Sequence, residues 1–562
     1  TLRNGTLYID GGLETFVQNN TNSNFNGSLV AGYNNYLIMV DMSDSWDWKV
    51  NVSQSYVAKA ENPATGTEPP IVVDGALFQG SPTDSNIYLY GGTTSFWNTS
   101  FPKWQPPTSF QYVLWSFDTI SKVWNQFDVS NVSPYRPSGG SWADAPDLSL
   151  AFYLGGIINN GSQITTANIG NNSHAGVPGM IVIDTKSQSA RNVSTAELTG
   201  NNPRSRGNMV YVPHYGDKGL LVTIGGSYKA QSDLSDDVIG TLIPLDTIEV
   251  FDVASLDNNQ NGKWYKQKTS GDIPPPRIDA CAVVASAPDN SSHNIYIYGG
   301  RNVTGIYDQI YVLSIPSFTW TKIFEGQSPR FGMTCHLAAK RQLITVGGWS
   351  DFNLTKGCDW EDKGLGVYDL SSLIWGSRFN AYAKDYTVPT PVVSVIGGST
   401  DGAATMTSPL AGYTNPAFGH LFDKSINPNP QNATASSTSK PNKGAIAGGV
   451  VGGVAALAIV GGAIAFFIRR RRRPLSISAP APAELSGSTF AQPIQEKDAS
   501  QARPDVDAEL VAQTGHYVEL PADRGVEIMG YTQKPKTDTK DDVEEKDEKD
   551  HKEQDYKDVP MI

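Results

Sequence analysis

Five histidines precede residue 424, namely His174, His214, His293, His336 and His420, each in a different segment and none paired with another. Metal chemistry asks for imidazoles or thiolates at ligand spacing, and this scatter does not offer it. Carboxylates do cluster, at Asp233, Asp236 and Asp237 and again at Asp359, Glu361 and Asp362. Paired carboxylates on loops can serve glycoside hydrolysis, although acidic loop clusters equally serve as solvated surface. The chain has no sialidase-type Ser-x-Asp-x-Gly-x-x-Trp box, no nucleophile elbow and no phosphate-cradling glycine loop. No cofactor and no metal site is expected. Recognition chemistry is better represented: Phe96, Trp97, Phe101, Trp104 and Tyr112 crowd one Pro-containing stretch, where aromatic rings can stack on sugars or anchor a protein partner, or else fold back onto the domain.

The elements that position these residues repeat. A short β-branched and aromatic run ends in a glycine pair six times, at Gly11-Gly12, Gly91-Gly92, Gly155-Gly156, Gly225-Gly226, Gly299-Gly300 and Gly347-Gly348, with steps of 48 to 80 residues. Such runs have strand chemistry, and paired glycines permit positive φ and close backbone packing. After most pairs comes an apolar strand ending in an acidic residue, then a tryptophan, as at Trp48, Trp124, Trp264, Trp320 and Trp375. Pro203-Arg204, Pro276-Arg277 and Pro329-Arg330 open the strands leading to the later glycine pairs.

Glycine pair, acidic turn, tryptophan and Pro-Arg in this order resemble the kelch repeat over about residues 1–423, most like the fungal cell-surface kelch-repeat proteins, which share the ending VVSVIGGSTDGAATMTSPLAGYTNPAFGHLF found here from Val392. The resemblance implies an all-β fold, a kelch-type β-propeller of six blades with seven as the alternative. A propeller blade is covered by its two neighbours, so tryptophans and tyrosines fill the layers between blades. The first unit starts almost at its glycine-pair strand, which leaves residues 391–396 as the candidate closing strand, unless residues upstream of Thr1 carried it. Kelch propellers also carry the radical-copper oxidases, which need converging imidazoles, a tyrosinate and a cross-linked cysteine; the scattered histidines do not suggest that set. Of three cysteines, Cys335 and Cys358 lie 23 residues apart around the last blade and are expected to bridge, contributing about 3 kcal/mol, with Cys281 a free core thiol.

Beyond the repeats the chain changes character. Residues 424–443 form a Ser/Thr/Asn/Pro-rich stalk, and 444–468 contain no charged side chain. A helix of that length would be about 37 Å long, enough to cross a hydrocarbon core of about 30 Å. Arg469, Arg470, Arg471, Arg472 and Arg473 follow directly, so the positive-inside rule puts the C-terminal side in the cytoplasm. Sequons agree with that topology: Asn4, Asn19, Asn26, Asn51, Asn98, Asn131, Asn160, Asn171, Asn192, Asn290, Asn302, Asn353 and Asn432 all precede the span, and the tail 469–562 has no asparagine. Exporting the N-terminal part requires a signal peptide, expected to have preceded Thr1. Within the span Gly444, Gly448 and Gly452 recur every four residues, a small-residue stripe that allows a lateral dimer.

The tail is poor in apolar residues and segregates its charge, and is expected to be disordered; Tyr517 to Leu520 fits a tyrosine-based sorting signal. Lys and Arg total 43 against 56 Asp and Glu, a net −13 that argues against nucleic-acid binding. The expectation is a type I single-pass glycoprotein of the cell surface whose propeller binds a protein partner or cell-wall glycan. A carbohydrate-active or oxidase-type propeller enzyme is the alternative.

Overall fold

The computed structural model describes residues 1–17, 29–94, 112–170, 173–200, 202–230, 239–350 and 364–423. The stalk, the apolar segment 444–468, the arginine cluster and the tail lie outside the described residues, as do Cys358 and the two acidic clusters. Among the described residues no helix is long and apolar enough to cross a membrane.

Six up-and-down meander sheets, each with four antiparallel strands, follow one another along the described residues; sheet 5 is widened to five by Ser270–Gly271, which pairs parallel to Thr319–Glu325. Sheet 1 is Leu2–Arg3, Thr6–Asp10, Tyr36–Asp41 and Gln54–Ala58. Sheet 2 is Val73–Phe78, Asn86–Thr93, Leu114–Asp118 and Trp124–Phe127; sheet 3 is Ser141–Ala145, Leu150–Leu154, Met180–Asp184 and Ser189–Val193. Sheet 4 comprises Asn208–Val212, Leu220–Ile224, Thr247–Asp252 and Lys263–Lys268, and sheet 5 Cys281–Ser286, His293–Tyr298, Gln309–Ile315 and Thr319–Glu325. Thr334–Ala338, Gln342–Val346, Leu365–Asp369 and Ile374–Gly376 make sheet 6. The second strand of each sheet runs into its glycine pair, so the connections from second to third strand, and from each sheet to the next, gather at one end, the glycine-pair end. The tight hairpins gather at the other.

The core is built between sheets. Side chains alternate faces along a strand, so each central strand serves two layers. In sheet 5, Ile295 and Ile297 pack toward sheet 4 beside Val222 and Val250, while Tyr296 and Tyr298 pack toward sheet 6 beside Tyr368 and Trp375. Equivalent layers join sheets 1 and 2, 2 and 3, and 3 and 4. A sixth joins the last sheet to the first, with Ile344, Leu365 and Val367 against Leu7, Val40, Trp46 and Trp48. This cyclic order of packing, in a protein that is mostly β with few helices, is consistent with a kelch-type propeller.

The acidic residues ending the third strands are turn-formers: the carboxylates of Asp41, Asp118, Asp184, Asp252 and Asp369 each accept a backbone N–H two residues on. This side-chain mimic of a backbone turn holds the hairpin that brings each tryptophan back.

Two expectations about the ring need correction. Residues 391–396 do not supply a strand; Thr390–Ile396 is a helix, started by its proline and burying Val392 and Ile396 against sheets 5 and 6. The inner strand of sheet 1 is Leu2–Arg3 itself, and the first and last sheets are tied by Arg378–Phe379 pairing with Trp46–Asp47. The disulfide also differs from expectation. Cys335 is bonded to Cys281, not Cys358, with Cα atoms 5.4 Å apart. Both cysteines lie on innermost strands, where sheets 5 and 6 converge toward the axis, so residues 54 apart in sequence become neighbours. A loop of that length corresponds to about 4 kcal/mol of chain entropy removed from the unfolded state. Non-reducing peptide mapping should recover a Cys281–Cys335 peptide, and Cys281→Ala with Cys335→Ala should lower the unfolding free energy by about that amount; a Cys335–Cys358 peptide would refute the pairing.

Candidate functional site: the glycine-pair end

The glycine pairs and the Pro-Arg pairs are two halves of one contact. The N–H of the second glycine donates to the carbonyl of the residue entering the next sheet: Gly12 to Val72 (2.9 Å), Gly92 to Pro137 (2.7 Å), Gly156 to Arg204, Gly226 to Arg277 and Gly300 to Arg330 (all 2.8 Å). The three arginines then reach forward into their own sheets, Arg204 to the carbonyl of Gly225 (2.6 Å), Arg277 to Gly299 (2.9 Å) and Arg330 to Gly347 (3.1 Å). Each is nearly fully buried, and a charge-assisted hydrogen bond of this kind contributes about 1.5–3 kcal/mol. Glycine is required at the first position because a Cβ at Gly225, with φ +62°, would stand 2.7 Å from the Arg277 carbonyl oxygen. Gly225→Ala is therefore expected to cost more than about 2 kcal/mol in chemical denaturation, whereas Gly305→Ala, with nothing within 4 Å of the added carbon, should stay within about 0.5 kcal/mol. Equal effects would separate the glycine pair from this role.

Two residues after that contact, each entering chain takes a left-handed turn. Asp74, Gly139, Arg206, Asp279 and Gly332 have φ of 54°, 59°, 56°, 55° and 72°. They are linked from sheet to sheet by backbone hydrogen bonds: Gly139 N–H to Asp74 O (3.0 Å), Arg206 to Gly139 (2.6 Å), Asp279 to Arg206 (3.0 Å) and Gly332 to Asp279 (2.8 Å). Non-glycine residues rarely hold this conformation, and they concentrate at functional positions. Here it brings side chains from three sheets together. Arg206 places Nη1 3.0 Å from Asp279 and Nη2 3.9 Å from Asp74, and Arg301, next after a glycine pair, places Nε 2.9 Å from the other oxygen of Asp279. Arg301 also covers the ring of Phe331 at 5.0 Å, which meets Trp349 at 5.4 Å.

Burial works against ionisation of Asp279, but Arg206 and Arg301 outweigh it and hold its carboxyl below the ordinary range. With a folded value below the unfolded one, the stability this group contributes is present above the unfolded value near 4 and is lost as pH falls through the folded value. Asp279→Asn should thus cost about 3 kcal/mol at pH 6, because two buried guanidinium groups lose their partner, and the difference from wild type should shrink toward pH 3; a pH-independent difference would assign the loss to packing.

The residues singled out from sequence fare unevenly. Phe96, Trp97, Phe101 and Trp104 lie outside the described residues. Tyr112 is half-buried on the core shared by sheets 1 and 2, its ring 6.2 Å from Trp115 and its carbonyl accepting the indole N–H at 3.1 Å, so it packs into the body. Of the sequon asparagines, Asn4, Asn51, Asn131 and Asn192 are exposed, and Asn160, Asn290 and Asn302 are half-buried. Asn19, Asn26, Asn98, Asn171, Asn353 and Asn432 lie outside the described residues. The histidines are not all solitary: His214 and His293, from sheets 4 and 5, stack with ring centroids 5.3 Å apart at the hairpin end. Burial, with His214 alongside, pushes His293 down to about 3, which keeps it neutral. No group of three or more His, Cys, Asp or Glu able to hold a metal occurs among the described residues. Asp74, Arg206, Asp279 and Arg301 went unrecognised in the sequence. One signal existed, since Arg206 and Asp279 each stand three residues after the proline of a Pro-Arg pair.

Six meander sheets stapled through glycine pairs and buried arginines are consistent with a kelch-type propeller. No family model matches the chain. It is similar to a "Kelch repeat-containing protein" of Arthroderma benhamiae, 29% identical over 536 residues that cover 83% of this chain and 74% of that protein. A stretch of 139 residues, 23% of this chain, is 27% identical to 9% of "Host cell factor" of Drosophila melanogaster. These similarities support the kelch-repeat family.

Proposed function

We propose that the chain is a single-pass surface protein whose six-bladed kelch propeller binds a polypeptide partner through its glycine-pair end. One observation carries this reading: the chain leaves the sheets at the opposite end. Residues 414–423 dock on the hairpins of sheet 4, where Leu421 accepts the Gly216 N–H at 2.8 Å, and Phe418 is fully buried against Tyr265 and Phe318. The glycine-pair end, with its left-handed belt and convergent Asp74, Arg206, Asp279 and Arg301, lies opposite this exit. The sequons before residue 444 and the arginines after 468 support the single-pass placement, and the likeness to a kelch repeat-containing protein supports the propeller. Binding fits the cluster better than catalysis, because both oxygens of Asp279 are taken up by guanidinium groups. Glycan at the cell wall is the second ligand class, which the aromatics Phe96, Trp97, Phe101 and Trp104 would suit.

On intact cells, surface biotinylation should label the propeller, and an epitope after Ile562 should become reachable only on permeabilisation. Proximity labelling from the propeller should recover a defined partner set whose binding falls at least about tenfold in Arg206→Ala and is unchanged in Lys218→Ala at the hairpin end. A surface-accessible C-terminal epitope overturns the topology, and equal binding by the two variants overturns the choice of face.

A further inference from the structure

We propose that a small monovalent anion of the halide class, chloride in ordinary solution, binds the buried guanidinium of Arg136 in the seam between sheets 2 and 3. The site is separate from the cluster of Asp74, Arg206, Asp279 and Arg301, whose carboxylates do not pair with Arg136.

Arg136 enters sheet 3 one residue ahead of the position that Arg204, Arg277 and Arg330 hold in sheets 4, 5 and 6, since here it is the Pro137 carbonyl that accepts the glycine N–H. Those three arginines are answered from within the protein. Arg204 pairs with Glu249. Arg277 meets Gln309 Oε1 at 3.3 Å and lies over the rings of Tyr307 and Tyr311, at 4.1 and 5.4 Å. Arg330 donates to the carbonyls of Gly347 and Gly348 at 3.1 and 3.4 Å and stands within the field of Asp308.

Arg136 has no such set. It is 1% exposed, and among the described residues its guanidinium donates to one acceptor, from Nη2 to the Gly161 carbonyl at 3.2 Å. That oxygen also accepts the N–H and the hydroxyl of Thr94, each at 3.0 Å, although a carbonyl has only two lone pairs. Nε and Nη1 are buried with no hydrogen-bond partner. Among the described residues no carboxylate acts on the group; burial lowers its pKa to about 9, so it keeps its charge at neutral pH. The stretches around this seam, residues 92–117, 129–143 and 155–183, contain no Asp or Glu. Lys59 adds a second buried positive charge whose field reaches Arg136, and Asp10, 2.9 Å from Lys59, neutralises that one.

A buried cation without a counter-charge or acceptors for its N–H groups is strongly unfavourable, and a buried group left in that condition points to an ion or water that completes it. Water supplies no charge. Enclosure selects a small ion of single charge, because a divalent oxyanion gives up far more hydration on burial.

The test uses the full chain in detergent, unfolded by urea in sodium chloride or in sodium gluconate at equal ionic strength, so that screening is the same in both. An ion held by the folded protein alone lowers the unfolding constant as its site fills; in about 150 mM chloride the wild-type constant should be about fivefold smaller than in gluconate, with saturation. Arg136→Met should abolish this difference, and Lys218→Ala at the hairpin end should keep it. Crystals grown in sodium bromide should give an anomalous scattering peak within hydrogen-bonding reach of Arg136 Nε or Nη1. Equal wild-type constants in the two salts, a difference retained in Arg136→Met, or no peak at Arg136 each overturns the site. Should Arg136→Met fail to fold, the wild-type salt comparison and the bromide peak decide the matter between them.

Discussion

The constraint on which the rest of the molecule depends is the approach of one sheet's second strand to the backbone entering the next. Between the six meanders the ladders are short, as where Arg378–Phe379 pairs with Trp46–Asp47, so lateral cohesion comes mainly from side-chain layers and from backbone contacts at the glycine-pair end. A glycine pair accepts a foreign carbonyl where any Cβ would collide, and a buried arginine following a proline secures both sides of the joint. The same joint orients the chain into its left-handed turn. A side chain placed there, Arg206 or Asp279, cannot avoid the axis, and the polar cluster is a by-product of how the ring is assembled.

The inter-sheet joints and the polar cluster thereby share one end of the molecule. The other end is occupied by hairpins, by the Asp-based turns and by the C-terminal segment wrapped over sheets 4 and 5, with Tyr413, Phe418 and Phe422 filling the gap beneath Tyr215 and Phe318. That segment anchors the exit of the chain beside the stacked histidines, through Phe422 on Tyr215. It distinguishes the hairpin end from the glycine-pair end in a way the sheets alone would not.

Repeats made most of the sheets legible in advance. Each glycine pair does end a second strand, each acidic turn does precede a returning fourth strand, and Trp124, Trp264, Trp320 and Trp375 do pack between sheets. Local rules failed where a contact is remote. Val392 to Ile396 has strand composition, but the proline at its start and the demand of sheets 5 and 6 for an apolar cover make it a helix. Cys335 lies nearer Cys358 in sequence, yet adjacent innermost strands bring Cys281 to it. A strand of only two residues, Leu2–Arg3, offers no periodicity to read.

By itself the sequence determined the repeat unit, the order of its strands, the residues that turn and cap them, and the change of character after residue 423, because each rests on local periodicity, turn chemistry or composition. Which residues meet across the ring was decided only in three dimensions. The Cys281–Cys335 bond, the closure through Arg378–Phe379, the His214–His293 stack and the Asp74–Arg206–Asp279–Arg301 cluster join positions dozens to hundreds of residues apart. The physical reason is that a blade buries its faces only against neighbours. The partners of a side chain are therefore set by the angle at which whole sheets pack, and no window of sequence contains that angle.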